Sequence, residues 1–127
     1  MAKKPINIQN IRQVSISVHD IDRAIAFYRD VLDLPFLFNA PNMAFFDCNG
    51  LRLLLSIPEN ERYDHPSSII YFQVENIRES YETLLEQDVK TLGEPHVIVK
   101  MDNAETWMAF FEDPDENVLA LISEVRV

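Results

Sequence analysis

The fold is decided by residues 13–32, which read QVSISVHDIDRAIAFYRDVL. Apolar and polar side chains alternate over the first six of these residues, as a strand with one buried face requires. Asp20 then stands where a helix N-cap belongs, and apolar residues follow it at helical spacing. These residues are Ile21, Ala24, Ile25, Tyr28 and Leu32. The stretch therefore predicts a strand that leads directly into an amphipathic helix.

The same pattern recurs at residues 69–88, IIYFQVENIRESYETLLEQD, with Asn76 as the N-cap. After each helix, short segments of strand character alternate with turn signals. They are residues 36–38, 43–48 and 51–57 in the first half, and 96–100, 107–111 and 118–123 in the second. MAFFD at 43–47 is echoed by MAFFE at 108–112. The chain thus predicts an α+β fold of two tandem βαβββ modules, about 11–57 and 68–124, joined by a polar linker at 58–67.

The composition favours a single acidic domain. With 127 residues and 47% apolar content, the chain is long enough for one ordinary core. A formal charge of −10 argues against nucleic acid and anionic membranes as partners, because phosphate groups attract clustered Lys and Arg. The single cysteine, Cys48, excludes an intrachain disulfide, and no apolar run follows the basic pair Lys3-Lys4. We therefore expect a soluble, cytoplasmic protein.

Residues 18–32 and 107–115 resemble the first helix and the last hairpin of the vicinal oxygen chelate superfamily, which includes glyoxalases, bleomycin-resistance proteins and extradiol dioxygenases. The resemblance extends over about residues 11–124, nearly the whole chain. It implies curled mixed sheets around a shared cavity, with helices on the outer side and the ligand inside. It also implies a homodimer, because relatives of this size usually pair.

The resemblance further implies where a divalent metal ion would bind. In metal-dependent relatives, one residue from each of four strands holds the ion, and these positions carry over to Gln13, Leu54, Ile69 and Ala120. Alkyl side chains have no lone pair to donate, so only Gln13 could act as a ligand. Shifting each strand by one residue supplies no His or carboxylate either. We therefore predict that the site holds no metal and needs no cofactor, with a divalent metal as the alternative.

The cavity wall implied by this fold has a mixed character. If Val14 and Ile16 face the helices, the alternate residues on each strand face the ligand. The predicted ligand-binding residues are Gln13, Ser15, Arg52, Leu54, Ile69, Tyr71, Trp107 and Ala120. Apolar area with a few polar groups is typical of a small-molecule pocket. Arg52 favours an anionic ligand or an internal ion pair with a residue such as Asp47, and the internal pair is the preferred alternative.

Several other residues carry reactive side chains whose roles the sequence pattern does not determine. Tyr28 and Tyr71 are candidate proton donors if a substrate comes within reach. His19 sits at a strand-to-helix turn, where a surface role is expected, and His96 opens a strand near the expected cavity mouth. A catalytic role for Cys48 is the less favoured interpretation.

Three functions remain open at this point. The leading hypothesis is a metal-independent protein that binds a small organic molecule, anionic or aromatic. The alternative is an enzyme of glyoxalase, isomerase or dioxygenase type with a non-standard or absent metal site, and a structural or regulatory subunit is the third. The sequence contains no recognisable catalytic constellation of acid, base and nucleophile, which favours the binding hypothesis.

Overall fold

Asp20 and Asn76 begin the two helices, as predicted. The Asp20 carboxylate accepts a hydrogen bond from the backbone N–H of Arg23, and the Asn76 side chain accepts one from the backbone N–H of Glu79. The structure is a computed structural model and describes residues 4–127. Part of the basic start of the chain, residues 1–3, lies outside the described residues.

The chain runs through strand, helix and three strands, twice. The first half contains β1 (Gln13–Ser17), α1 (Ile21–Ala26) continued by a π-helical turn (Phe27–Val31), β2 (Phe36–Ala40), β3 (Met43–Cys48) and β4 (Leu51–Ser56). The second contains β5 (Ile70–Gln73), α2 (Ile77–Glu86), β6 (His96–Lys100), β7 (Ala104–Glu112) and β8 (Val118–Arg126). A 3₁₀ turn (Glu61–Tyr63) lies between them. Within residues 4–127, neither helix has the length and apolar character needed to span a membrane.

Each half forms one four-stranded sheet with the same strand order. Sheet 1 has the order β1-β4-β3-β2, and sheet 2 has the order β5-β8-β7-β6. The first and last strands of each half pair in parallel, and the remaining pairs are antiparallel. This confirms the predicted α+β fold class of two repeated βαβββ units.

One apolar core is shared by both halves. Ile16 and Leu55 of sheet 1, and Phe111 and Leu119 of sheet 2, are fully buried and belong to the same cluster as the apolar stripes of both helices. Burial of such side chains stabilises the fold by about 1.5–3 kcal/mol each. The opposite side of each sheet, which faces away from this core, is called its open face below.

A β-bulge at Leu37 divides the aromatic residues of β2 between the two faces. Phe36 pairs with Phe46 and Phe38 pairs with Phe45, although Phe45 and Phe46 are consecutive and point to opposite sides. Phe36 therefore packs edge-on against the buried Phe46, with ring centroids 5.4 Å apart. Phe38 instead lies on the open face of sheet 1.

The hairpin at Asp113–Asn117 fastens the second half to the first. Asp113 is only 5% exposed, and its carboxylate accepts hydrogen bonds from the Tyr28 hydroxyl (2.7 Å) and from the backbone N–H and side-chain amide of Asn117 (2.9 Å each). The Asn117 amide also donates to the backbone carbonyl of Ser17 at 2.9 Å. The Asp113 carboxylate and the Asn117 amide together thus connect the π-helical turn after α1, β1 and the β7–β8 turn.

Asp115 extends this junction to the turn before α1. Its carboxylate accepts hydrogen bonds from the backbone N–H of His19 (2.9 Å) and from the Arg23 guanidinium (3.0 Å). The His19 ring also lies 2.9 Å from the Asp64 carboxylate, measured from Nε2 to Oδ1. The hydrogen bond to Asp64 raises the pKa of His19 above its ordinary value, and the negative charges of Asp64 and Asp115 contribute to the same shift. His19 therefore belongs to the junction.

Candidate functional site

Four predicted site residues lie together on the open face of sheet 1. Gln13 on β1 is the register partner of Arg52 on β4, and Ser15 is the partner of Leu54. Gln13 and Ser15 are exposed, whereas Arg52 and Leu54 are partly buried. The open face of sheet 1 therefore combines an amide, a hydroxyl and a guanidinium with apolar surface.

Arg52 does not form the internal ion pair that the sequence favoured. Asp47 is its cross-strand partner, but the Asp47 carboxylate accepts a hydrogen bond from the backbone N–H of Gly50 at 3.2 Å. Within residues 4–127, Arg52 has no ion-pair partner. Its guanidinium carbon lies 5.6 Å from the centroid of the Phe45 ring, a cation–π contact. The preference for an Arg52–Asp47 pair was wrong because the hairpin backbone engages Asp47.

The open face of sheet 2 is aromatic. Tyr71 on β5 and Phe110 on β7 both pair with Ala120 on β8, and their rings meet edge-on with centroids 6.2 Å apart. Ala120 is fully buried, whereas Tyr71 remains 45% exposed. Ile69, which is 42% exposed, lies just before the start of β5. Tyr71 and Ala120 thus belong to sheet 2, and Ile69 lies next to it.

Trp107 does not join this set. It pairs with Ser123 across β7 and β8, and it packs against the core on the helix side of sheet 2. Its indole N–H donates to the Glu105 carboxylate at 3.2 Å. The residue next to it, Met108, points to the open face. The assignment of Trp107 to the ligand-binding wall is therefore corrected, because β7 presents its even-numbered side chains to the open face.

Sequence reasoning left the faces of the phenylalanines unassigned, and several belong to the open faces. Phe45 is the register partner of Leu54, and Phe38 stacks on Phe45 with ring centroids 4.5 Å apart and an interplanar angle of 26°. On sheet 2, the His96 ring lies 6.4 Å from that of Phe110. The two-residue turn at Asn49-Gly50 was a usable signal, since its register places Phe45 opposite Leu54.

The two open faces do not form one cavity within a single chain. A groove between the halves has a volume of about 610 Å³ and is lined mainly by helix-side residues such as Val14, Leu53 and Phe72, together with Tyr71. Among residues 4–127, neither this groove nor four further surface cavities are lined by Gln13, Ser15, Arg52 or Leu54. The open faces therefore do not enclose the implied shared cavity within residues 4–127, because the helix-side faces pack into the common core and leave the open faces outside it.

Tyr28 is removed from the candidate proton donors. Its side chain is fully buried and donates to Asp113. Burial raises the pKa of Tyr28 far above its ordinary value, and the adjacent Asp113 charge acts in the same direction. A hydroxyl in this position is out of reach of a substrate. Tyr71 is exposed on an open face and remains a candidate proton donor.

The residues at the expected metal positions do not suit a divalent ion. Leu54, Ile69 and Ala120 carry no donor atom, and Gln13 lies beside the cationic Arg52. In the part of the chain that the structure describes, no group of three or more His, Cys, Asp or Glu side chains is arranged to hold a metal ion. One neutral amide is too weak a ligand set for a labile divalent metal.

Comparison with known proteins gives a consistent family. A model of the glyoxalase/bleomycin resistance protein/dioxygenase superfamily matches residues 10–121. The metallothiol transferase FosB of Staphylococcus saprophyticus is 32% identical over 114 residues, which cover 85% of this chain and 72% of that protein. FosB of Lysinibacillus sphaericus is 28% identical over 87% of this chain and 79% of its own length.

Solved structures agree on the fold. A virulence protein from Salmonella typhimurium matches with a TM-score of 0.76 and 19% identity, covering 93% of this chain and 98% of its own. A lactoylglutathione lyase from Agrobacterium tumefaciens matches with a TM-score of 0.72 and 22% identity, covering 94% and 95%. At these identities the likeness concerns the fold alone.

Proposed function

The chain belongs to the glyoxalase/bleomycin resistance protein/dioxygenase superfamily, and we propose that within this superfamily it is a metal-independent protein that binds a small organic molecule. The observation that carries the proposal is the chemistry of the open faces. Three of the four expected metal positions are alkyl, and the cation Arg52 stands beside the fourth without an ion-pair partner among the described residues. Such a surface suits an organic ligand better than a metal cation.

The proposal is tested by metal content and ligand stabilisation together. Elemental analysis of protein purified without chelator is expected to give far less than one transition metal ion per chain. In a thermal-shift screen, added divalent metals should leave the melting temperature unchanged, whereas a subset of small acids or aromatic compounds should raise it. One equivalent of metal held by three or more protein ligands, located by anomalous scattering, would overturn the proposal.

A second candidate is an enzyme, and the relatives named metallothiol transferase favour it. The test is consumption of a low-molecular-weight thiol in the presence of a set of electrophiles, with and without added divalent metal. If the chain is an enzyme of this kind, Tyr71→Phe should lower the rate, because Tyr71 carries an exposed phenolic hydroxyl on an open face. Tyr63→Phe is the matched control, since Tyr63 lies in the linker and is 57% exposed. Turnover above the uncatalysed rate would favour this candidate over simple binding.

We propose that the working form is a homodimer. The open faces expose apolar side chains, including Phe38 (48%), Tyr71 (45%) and Ile69 (42%), and the outer strands leave backbone groups without strand partners. A second copy that covers these faces would close the cavity that one chain leaves open. Light scattering at micromolar concentration should give twice the chain mass, and a monomer would contradict the proposal.

A cytoplasmic location stays a prediction, and cell fractionation would test it.

A further inference from the structure

The open face of sheet 1 carries a row of groups that share one ligand chemistry. We infer that this face binds a planar aromatic carboxylate, with Arg52 holding the carboxylate and the Phe38–Phe45 stack holding the ring. The inference rests on the proposed binding function and names its ligand class.

The first step concerns the charge of Arg52. The chain has 21 acidic and 11 basic residues, so carboxylates are abundant, and Asp47 lies directly across the sheet. Asp47 nevertheless bonds the hairpin backbone, and Arg52 rests on the face of Phe45. The N–H donors of a guanidinium lie in its own plane, so a contact with a ring leaves them free for a carboxylate. Arg52 is thus held in place by an aromatic ring while its charge remains available to an anion.

The second step concerns the ring-binding surface. Phe38 is 48% exposed and stacks on the partly buried Phe45, so part of this aromatic pair is open to solvent. Aromatic rings pack edge-to-face as well as stacked, so a ligand ring can pack against the exposed part of this pair on the side of Arg52. This surface exists because of the bulge at Leu37, which turns Phe38 away from the core. A cluster of aliphatic side chains would accept any apolar group, whereas two stacked rings favour a planar one.

The third step is the spacing between the two parts. Arg52, Phe45 and Phe38 come from β4, β3 and β2, which are consecutive in sheet 1. Neighbouring strands lie about 4.8 Å apart, so a carboxylate and the centre of its attached one- or two-ring system can span adjacent members of this row. Gln13, the register partner of Arg52, adds an amide donor beside the guanidinium. The carboxylate of such a ligand thus meets Arg52 and Gln13, and its ring meets the Phe38–Phe45 pair.

The test uses three probes that separate the ring from the charge. They are 2-naphthoate, the neutral 2-naphthalenemethanol and the non-aromatic cyclohexanecarboxylate. Titration calorimetry at fixed, low ionic strength should give the tightest binding for 2-naphthoate. The neutral alcohol and the alicyclic acid should each bind at least fivefold more weakly. Equal binding of the neutral alcohol would overturn the role of the charge, and equal binding of the alicyclic acid would overturn that of the stack.

Variants locate the site. Arg52→Gln should weaken 2-naphthoate binding tenfold or more without changing its weak binding of the alcohol, and Arg52→Lys should restore part of the affinity. Phe38→Leu should weaken 2-naphthoate but not cyclohexanecarboxylate. Arg78→Gln is the matched control, because Arg78 also lies over an aromatic ring, 5.9 Å from the Tyr81 centroid, but on α2. Unaltered 2-naphthoate affinity in folded Arg52→Gln would overturn the inference.

The inference and the proposed function fail in different ways. If the chain binds neutral or alicyclic compounds more tightly than aromatic carboxylates, the ligand class is wrong and the binding function stands. If no probe binds and elemental analysis gives a stoichiometric metal, both fall. Circular dichroism of each variant shows whether a loss of binding reflects unfolding, and the Arg52→Lys variant keeps the test decisive in that case.

Discussion

The last hairpins of the two halves occupy equivalent places in the duplicated fold, yet their contacts differ. The first hairpin turns through Asn49-Gly50, both exposed, and the carboxylate of Asp47 accepts a hydrogen bond from the nearby backbone N–H of Gly50. The second hairpin turns through Asp113–Asn117, and Asp113 is buried against Tyr28 of the other half. A longer turn with a buried acid thus converts a local connection into the junction between the halves.

His19 and Arg23 stabilise the junction between the halves, and the second helix has no corresponding pair in the same contact within residues 4–127. Both lie at the start of α1 and contact Asp115 of the second hairpin. The equivalent start of α2 has Asn76 and its hydrogen bond to Glu79. The duplicated halves are therefore alike in plan and unlike in how their turns stabilise the molecule.

The largest effect is expected from removing the junction acid. Asp113→Ala leaves the Tyr28 hydroxyl and the Asn117 amide groups buried without their acceptor, so the free energy of unfolding should fall by about 3 kcal/mol or more. Asp47→Ala, which removes the acid that bonds the turn of the first hairpin, should lower it by less than about 1 kcal/mol. Urea unfolding at one fixed protein concentration measures both. Equal losses would show that the two hairpins do not differ; if Asp113→Ala fails to fold, Asp113→Asn takes its place.

A smaller effect is expected from Tyr28→Phe. The change keeps the ring in the core and removes one hydrogen bond to a buried carboxylate, which should reduce the free energy of unfolding by about 1–3 kcal/mol. Tyr81→Phe on α2 is the control, because Tyr81 is also buried but makes no hydroxyl hydrogen bond within residues 4–127. Tyr81→Phe should reduce the free energy of unfolding by less than about 0.5 kcal/mol. A larger loss at Tyr81 than at Tyr28 would contradict the assigned junction.

The smallest effect concerns the pH dependence of the junction. The pKa of His19 is raised in the folded state, so its protonated form is stabilised by Asp64 and Asp115. The resulting stability is fully present below the ordinary pKa of about 6.5 and is lost as pH rises through the raised value. Because His19 is exposed, the contribution should stay below about 1 kcal/mol and weaken with salt.

Thermal unfolding of His19→Gln and wild type across pH 5–9 measures this contribution. The difference in melting temperature should be largest at acidic pH and should shrink above neutrality. His65→Gln is the control, because the His65 ring bonds the backbone carbonyl of Pro66 and forms no ion pair within residues 4–127. A difference that grows with rising pH would contradict the sign of the pKa shift.

Much of the site could be predicted from the alternation of side chains along the strands. Gln13, Ser15 and Leu54 lie on the open face because a strand with one buried face places alternate residues there. The echo between MAFFD and MAFFE carried a further signal. Since Phe45 shares the open face with Leu54, the echoed Phe110 belongs to an open face and Trp107 to the helix side. The sequence interpretation did not apply that register to Trp107.

The sequence by itself determined the duplicated strand-helix plan, the two N-caps and the lack of donor atoms at three expected metal positions. These depend on local periodicity and on side-chain chemistry, which do not change with distant contacts. Only the tertiary structure decided that Phe38 faces outward, that Arg52 has no ion-pair partner among the described residues, and that the open faces remain apart. A bulge of one residue reverses the side on which later side chains emerge, and a carboxylate's partner depends on competing donors brought close by folding.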